Sequence, residues 1–216
     1  MSDVTEVRQA VLDACRQLIP MGLVSGTAGN ISGRIDEGTV AMSPSSLPYD
    51  EMTLADIVVV ELDGTVVEGE RAPTSEKDLH LAVMAAHPEV KGVVHCHAQW
   101  ASTFAVARVP IPAGIDEFVI YVGGNVPVCD YHPSGSASLG AEVASKLFDR
   151  SAALMANHGL VAIGKSVPDA MHTAATVEHN AQIMHGALAL GGVVPLSEDA
   201  HKNFRGVYEL VRGHMW

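Results

Sequence analysis

Several apolar runs in this chain are joined by turns too short to carry a crossover, and this limits the sheets it can build. Asp63-Gly64 links Ile57–Leu62 to Val66-Val67, and Asn157-His158-Gly159 links Ala152–Met155 to Leu160–Ile163. Parallel neighbours need about a dozen residues to return, so pairs joined this tightly must run antiparallel. Further strand signals fall at 30–35, 39–42, 93–95 and 126–128. Helical spacing is read over Val4–Ile19, stopping before Pro20-Met21-Gly22, and from Pro73 onward through Leu79, Val83 and Ala86. It recurs over Ala98–Ala107, Ser136–Phe148, Val167–Leu190 and Glu198–Val211, with a short helical turn near Tyr49–Leu54. The alternation predicts an α/β fold class: a layered domain with a largely antiparallel sheet.

At 216 residues with no long low-complexity segment, the chain is expected to fold as one domain over 1–216. A formal net charge of −12 opposes a nucleic-acid partner, whose phosphates need Lys and Arg. A small phosphate ester is still compatible, because backbone N–H groups and hydroxyls bind anions locally. The charged N-terminus has no apolar run behind it, and no stretch nears about 18 apolar residues, so neither export nor a membrane is expected. Three scattered cysteines, Cys15, Cys96 and Cys129, read as reduced thiols of a cytoplasmic protein.

The chemistry concentrates at His95-Cys96-His97. On a strand His95 and His97 share a face and Cys96 takes the other, so two imidazoles lie side by side and the thiol packs away from them. They follow the buried-strand pattern Gly92-Val93-Val94, and desolvating two imidazoles there is costly unless something coordinates them. A catalytic zinc site needs three or four ligands and an open position; Glu76 and His158 are the candidates to complete it. His87, His132, His172, His185 and His201 are read as packing residues. Ser75 with Asp78 resembles an acidic capping box, which places Glu76 in a first helical turn where it can also serve as capping charge. The glycine-rich loop Gly26-Thr27-Ala28-Gly29-Asn30 is followed by a strand rather than a helix, which excludes a dinucleotide fingerprint; the Walker pattern is absent.

Taken in order, the motifs are Gly26-Thr27-Ala28-Gly29-Asn30 with Ser32 and Arg34, Ser43-Pro44-Ser45-Ser46 with Pro48-Tyr49, Pro73-Thr74-Ser75-Glu76, His95-Cys96-His97, Asn157-His158-Gly159-Leu160, and Val177-Glu178 through Gln182. This order and spacing resemble the class II aldolase/adducin family over nearly the whole chain. The resemblance implies a three-layer fold with helices on both faces of the sheet. It also implies a zinc-dependent lyase acting on a phosphorylated sugar, usually a homotetramer with sites between subunits. It assigns His95, His97 and His158 as zinc ligands and Glu76 as the catalytic carboxylate, able to ligate the metal. Thr27, Gly29, Asn30, Ser45, Ser46, Thr74 and Ser75 would hold the phosphate. For the serines of 43–46 turn chemistry is a competing reading.

The resemblance breaks at one point. Where aldolases of the family carry a tyrosine reaching a neighbouring subunit's site, this chain has Gly114-Ile115-Asp116-Glu117-Phe118, longer by one residue and acidic. Asp116, Glu117 or Tyr121 can take that role. Tyr208, His214 and Trp216 belong to a C-terminal helix and tail that can close over the site in relatives, with Tyr208 read as packing. Three functions compete: cleavage of a ketose 1-phosphate to dihydroxyacetone phosphate and an aldehyde; an epimerase, dehydratase or decarboxylase using the same site; and an adducin-like module without catalysis. A Schiff-base route is disfavoured because Lys77, Lys91, Lys146, Lys165 and Lys202 sit in polar or turn contexts.

Overall fold

The computed structural model describes residues 3–212; His214 and Trp216 lie outside them. Helix α1 (Val4–Gln17) leads into β1 (Asn30–Arg34), β2 (Thr39–Met42), β3 (Val58–Glu61) and β4 (Val66–Glu68). Then follow α2 (Lys77–Ala86), β5 (Gly92–Cys96), α3 (Gln99–Ala107), α4 (Asp116–Val122), β6 (Val128–Cys129) and α5 (Ala137–Lys146). The chain continues through β7 (Ala152–Met155), β8 (Gly159–Gly164), α6 (Val167–Ala189) and α7 (Glu198–Arg212). The strands form one eight-stranded sheet in the order β4-β3-β2-β1-β5-β8-β7-β6. Among the described residues β6–β7 is parallel and the other pairs are antiparallel, including β3–β4 and β7–β8, whose short turns require it.

Strand alternation divides the core in two. Ile31, Ala41, Val59, Val94, Cys96, Leu160 and Ala162 pack on one face against α1, α3, α4 and α6. Val40, Met42, Val58, Val60, Val93, Val161 and Ile163 pack on the other against α2 and α5. Helices therefore cover both faces. Cys96 falls in the first cluster and is fully buried, on the face opposite its histidine neighbours; all three cysteines are free and buried.

Three local expectations change. Helix α4 occupies a stretch read without an element; its Ile115 N-cap makes no side-chain bond, so no capping signal marked it. The turn expected near Tyr49–Leu54 is split into a turn at 49–51, closed by Glu51 N–H to the Pro48 carbonyl, and a 3-10 turn at Leu54–Asp56, where Thr53 and Asp56 cap each other reciprocally. The predicted Ser75 cap does not form: Glu76 is the N-cap of α2 and its carboxylate makes no capping bond. Side chains of the sheet and of a neighbouring loop claim it instead. Tyr208 packs as expected, with its hydroxyl 3.0 Å from Ser151 Oγ. No helix among the described residues is long and apolar enough to cross a membrane.

Candidate functional site

The register of the central strands gathers the site at one edge of the sheet. Antiparallel pairing sets Asn30, the first residue of β1, opposite His95 near the end of β5. On the other side β8 pairs Cys96 with Leu160, which brings the β7–β8 turn carrying His158 to the same edge. His97 lies one residue beyond β5, and α2 packs below with Glu76 at its N-terminus. Gly159 makes the close approach possible: a Cβ there would stand 2.5 Å from the Cys96 carbonyl and 3.0 Å from the His97 ring.

The ligand-capable nitrogens of His95, His97 and His158 all lie within 4.8 Å of one another. His95 Nε2 and His97 Nε2 are 3.1 Å apart, where nitrogens on a tetrahedral zinc ion are separated by about 3.3 Å. His95 Nδ1 is 3.0 Å from the Leu160 carbonyl, which can only accept, so Nδ1 carries a proton and Nε2 is turned toward the cluster. Burial, then the neighbouring His95 and His158, lower His97 to about 4, and burial also lowers His158, so both offer bare nitrogens at neutral pH. Three imidazoles beside a carboxylate are a donor set suited to a divalent transition metal.

Glu76 faces this group directly. Its Oε2 is 3.0 Å from His95 Nε2 and accepts from Asn30 Nδ2 at 3.0 Å, while Oε1 is 3.4 Å from His158 Nε2 and accepts from Ser134 Oγ at 2.7 Å. Burial alone would raise its carboxyl, but the hydrogen bond and charge of His95, with Asn30 and Ser134, hold it well below the usual carboxylate range.

A polar pocket of about 180 Å³ opens beside Glu76, His97 and His158. It is smaller than sites for drug-sized ligands, which fits a compact polar group. Thr27, Gly29, Asn30, Ser45, Ser46, Thr74 and Ser75 all line it, with Tyr49 and Ser134. An isolated bridge between Pro44 and Pro73, reinforced by Thr74 N–H to the Ser43 carbonyl at 3.1 Å, joins the two hydroxyl-bearing segments. Gly29 has φ +91°, and a Cβ there would meet the His95 carbonyl at 2.8 Å. The Tyr49 hydroxyl fixes this loop from behind, 2.9 and 2.8 Å from the carbonyls of Ala28 and Gly29.

Asp116, Glu117 and Tyr121 do not line the pocket: the first two are exposed at the start of α4, and Tyr121 packs edge-on against His172. His87, His132, His172, His185 and His201 lie outside the metal-capable group found among the described residues. His87 bonds the Ala144 carbonyl, His132 pairs with Glu142, and His185 tilts onto Trp100. Two residues around Glu76 had no chemical role in the sequence reading. They are Ser134, which donates to the carboxylate, and His80, fully buried one turn after Glu76.

Residues 9–185 match the family model described as Class II Aldolase and Adducin N-terminal domain. The chain belongs to this family. A 5-deoxy-D-ribulose 1-phosphate aldolase of Bacillus thuringiensis serovar kurstaki is 35% identical over 203 residues, covering 94% of this chain and 95% of the relative. An L-ribulose-5-phosphate 4-epimerase of Salmonella paratyphi B is 34% identical over 190 residues, covering 82% of this chain and 83% of the relative. The solved structure of an L-fuculose 1-phosphate aldolase superposes with a TM-score of 0.90 at 30% identity, covering 97% of this chain and 98% of that one. The family's fold is thus shared over nearly the full length, and its members' names span more than one reaction on phosphorylated sugars.

Proposed function

We propose that this chain, acting as a single domain over 1–216, is a zinc-dependent aldolase that cleaves a ketose 1-phosphate to dihydroxyacetone phosphate and an aldehyde. The observation that carries the reading is the convergence of three imidazoles and one buried carboxylate at the mouth of a hydroxyl-lined pocket. His95, His97 and His158 hold the metal, and Glu76 is near enough to ligate it before substrate arrives. Bound there, the ion supplies Lewis acidity toward the ketose carbonyl and its neighbouring hydroxyl. Thr27, Gly29, Asn30, Ser45, Ser46, Thr74 and Ser75 surround the phosphate through hydroxyls and main-chain N–H groups. Glu76, ionised and adjacent, moves the proton to and from the three-carbon fragment. Among the described residues no lysine lines the pocket, in keeping with a metal rather than an imine route.

The reading extends to the assembly. In a homotetramer an acid from a neighbouring copy, Asp116, Glu117 or Tyr121, would complete the aldehyde side of the site. The buried thiols and the acidic surface suit a cytoplasmic enzyme without nucleic-acid or membrane partners. An adducin-like module has no use for a buried carboxylate set against imidazoles. The epimerase-named relative supports a second reading, in which the same metal and phosphate site epimerises a pentulose 5-phosphate.

Product analysis over a panel of ketose 1-phosphates and pentulose 5-phosphates separates the two. Release of dihydroxyacetone phosphate from a ketose 1-phosphate is expected. A pentulose 5-phosphate converted to its epimer, with no triose phosphate from any substrate, would refute the aldolase reading in favour of the second.

A further inference from the structure

Behind the site, β1 and α2 face each other in two rungs. Asn30 and Ser32 share one side of the strand, and Glu76 and His80 lie one helical turn apart. Ser32 Oγ is 2.6 Å from His80 Nδ1, His80 Nε2 is 2.5 Å from Asn30 Oδ1, and Asn30 Nδ2 is 3.0 Å from Glu76 Oε2. Ser32 and His80 are fully buried, and Asn30, 5% exposed, carries the chain of bonds to the pocket wall.

The chemistry of the four groups fixes the direction of every bond. An ionised carboxylate only accepts, so the Asn30 amide must turn its NH2 toward Glu76 and its carbonyl toward His80. A carbonyl also only accepts, so His80 must carry its proton on Nε2. Nδ1 of the neutral ring is then a bare acceptor, and the Ser32 hydroxyl donates to it. Reversing the Asn30 amide would set its carbonyl against the carboxylate and its NH2 against the Nε2 proton.

We propose that His80, in the Nε2–H tautomer that the Asn30 carbonyl requires and with its ring steadied by Ser32, is a positioning residue that locks the Asn30 amide and thereby aims the Glu76 carboxylate at the reacting carbon. His80 does not touch substrate. It removes the alternative amide orientation, and with it a second resting position of Glu76. The inference rests on the proposed role of Glu76 in proton transfer, but the orientation of the chain of bonds can be tested without any turnover.

The test has a structural arm and a kinetic arm. In the first, ¹⁵N-histidine NMR of the metal-free protein reads the ring nitrogens of His80: a protonated Nε2 and a bare Nδ1 are expected. In Ser32→Ala the Nε2 proton should stay, because the Asn30 carbonyl and not the hydroxyl selects it. A resident Nδ1–H tautomer in either protein would overturn the proposal even if no substrate is ever found.

In the second, His80→Leu removes the donor, whereas His80→Gln places an amide N–H near the same point. With metal content unchanged, His80→Leu should lower kcat about ten- to a hundredfold and leave KM within about twofold, the size of effect expected from a misaimed reacting group. His80→Gln should recover most of the loss. If His80→Leu does not fold, Ser32→Ala serves instead, with an expected drop in kcat of a few fold at constant KM. Equal losses in the Leu and Gln variants, or a loss confined to KM, would overturn the positioning role. Failure of every ketose phosphate as substrate would refute the aldolase reading and leave the NMR arm to decide this one.

Discussion

Gly159→Ala tests whether the metal-capable cluster depends on close backbone packing. The added Cβ would lie 2.5 Å from the Cys96 carbonyl oxygen, 3.0 Å from His97 Cδ2 and 3.3 Å from His95 Cε1. An ordinary carbon–oxygen contact is about 3.3 Å, so the first approach is short by about 0.8 Å. The carbonyl belongs to β5, and Cys96 pairs directly with Leu160, so it cannot yield without shifting the strand that carries His95. Overpacking of this kind costs about 1–3 kcal/mol, and in a chain of this length the apparent Tm of the chelated protein should fall by about 2–12 °C. Because two imidazoles move with the strand, zinc affinity measured by competition with a chromophoric chelator should fall as well. Gly186→Ala is the control. Gly186 is interior to α6 with nothing within 4 Å of the added Cβ, so alanine there should stabilise by about 0.5–1 kcal/mol and leave zinc affinity alone. A Gly159→Ala protein with unchanged Tm and unchanged zinc affinity would refute the packing argument.

Arg34 is buried, with Nε donating to the Val90 carbonyl at 2.8 Å and Nη2 to the Met84 carbonyl at 2.5 Å. Arg34→Met orphans these carbonyls and should cost about 3 kcal/mol in urea unfolding, and Arg34→Lys should not restore it, since an ammonium lacks the planar fork. Tyr49→Phe removes the hydroxyl behind the glycine-rich loop and should raise KM for a ketose 1-phosphate about fivefold, with kcat nearly unchanged. Stability of the metal-free protein should decline as pH falls from about 6.5 toward 4. Burial holds His80 near 3 and His97 near 4, below the value of an unfolded histidine, so in that window the unfolded chain binds protons the folded one refuses. Urea unfolding of chelated protein at pH 7, 6 and 5 reads this directly, and a flat or rising profile would contradict it.

Sheet architecture was legible because tight turns and period-two patterns are local signals. Asp63-Gly64 and the Asn157–Gly159 turn dictate antiparallel neighbours wherever the chain goes next. The face of each residue on β5 follows from the same alternation, which by itself separates the histidines from Cys96. Helix α4 was missed for a physical reason: it spans seven residues, buries Phe118, Val119 and Val122 against distant parts of the chain, and has no capping side chain to announce it. Glu76 was placed near a helix start correctly, but its carboxylate bonds to partners that are neighbours only in space: Asn30 is 46 positions earlier and Ser134 58 later. His80 is the instructive omission, because its i+4 spacing from Glu76 on a helix is readable; what it bonds to on β1 is not.

The most direct test of the central claim is the rate of dihydroxyacetone phosphate release from ketose 1-phosphates by protein as purified, after chelation, and after stoichiometric zinc is restored, with metal content measured alongside. Activity should track metal content, vanishing on chelation and returning with zinc. Cleavage that continues undiminished after the metal is gone would contradict a metal-dependent site built on His95, His97 and His158.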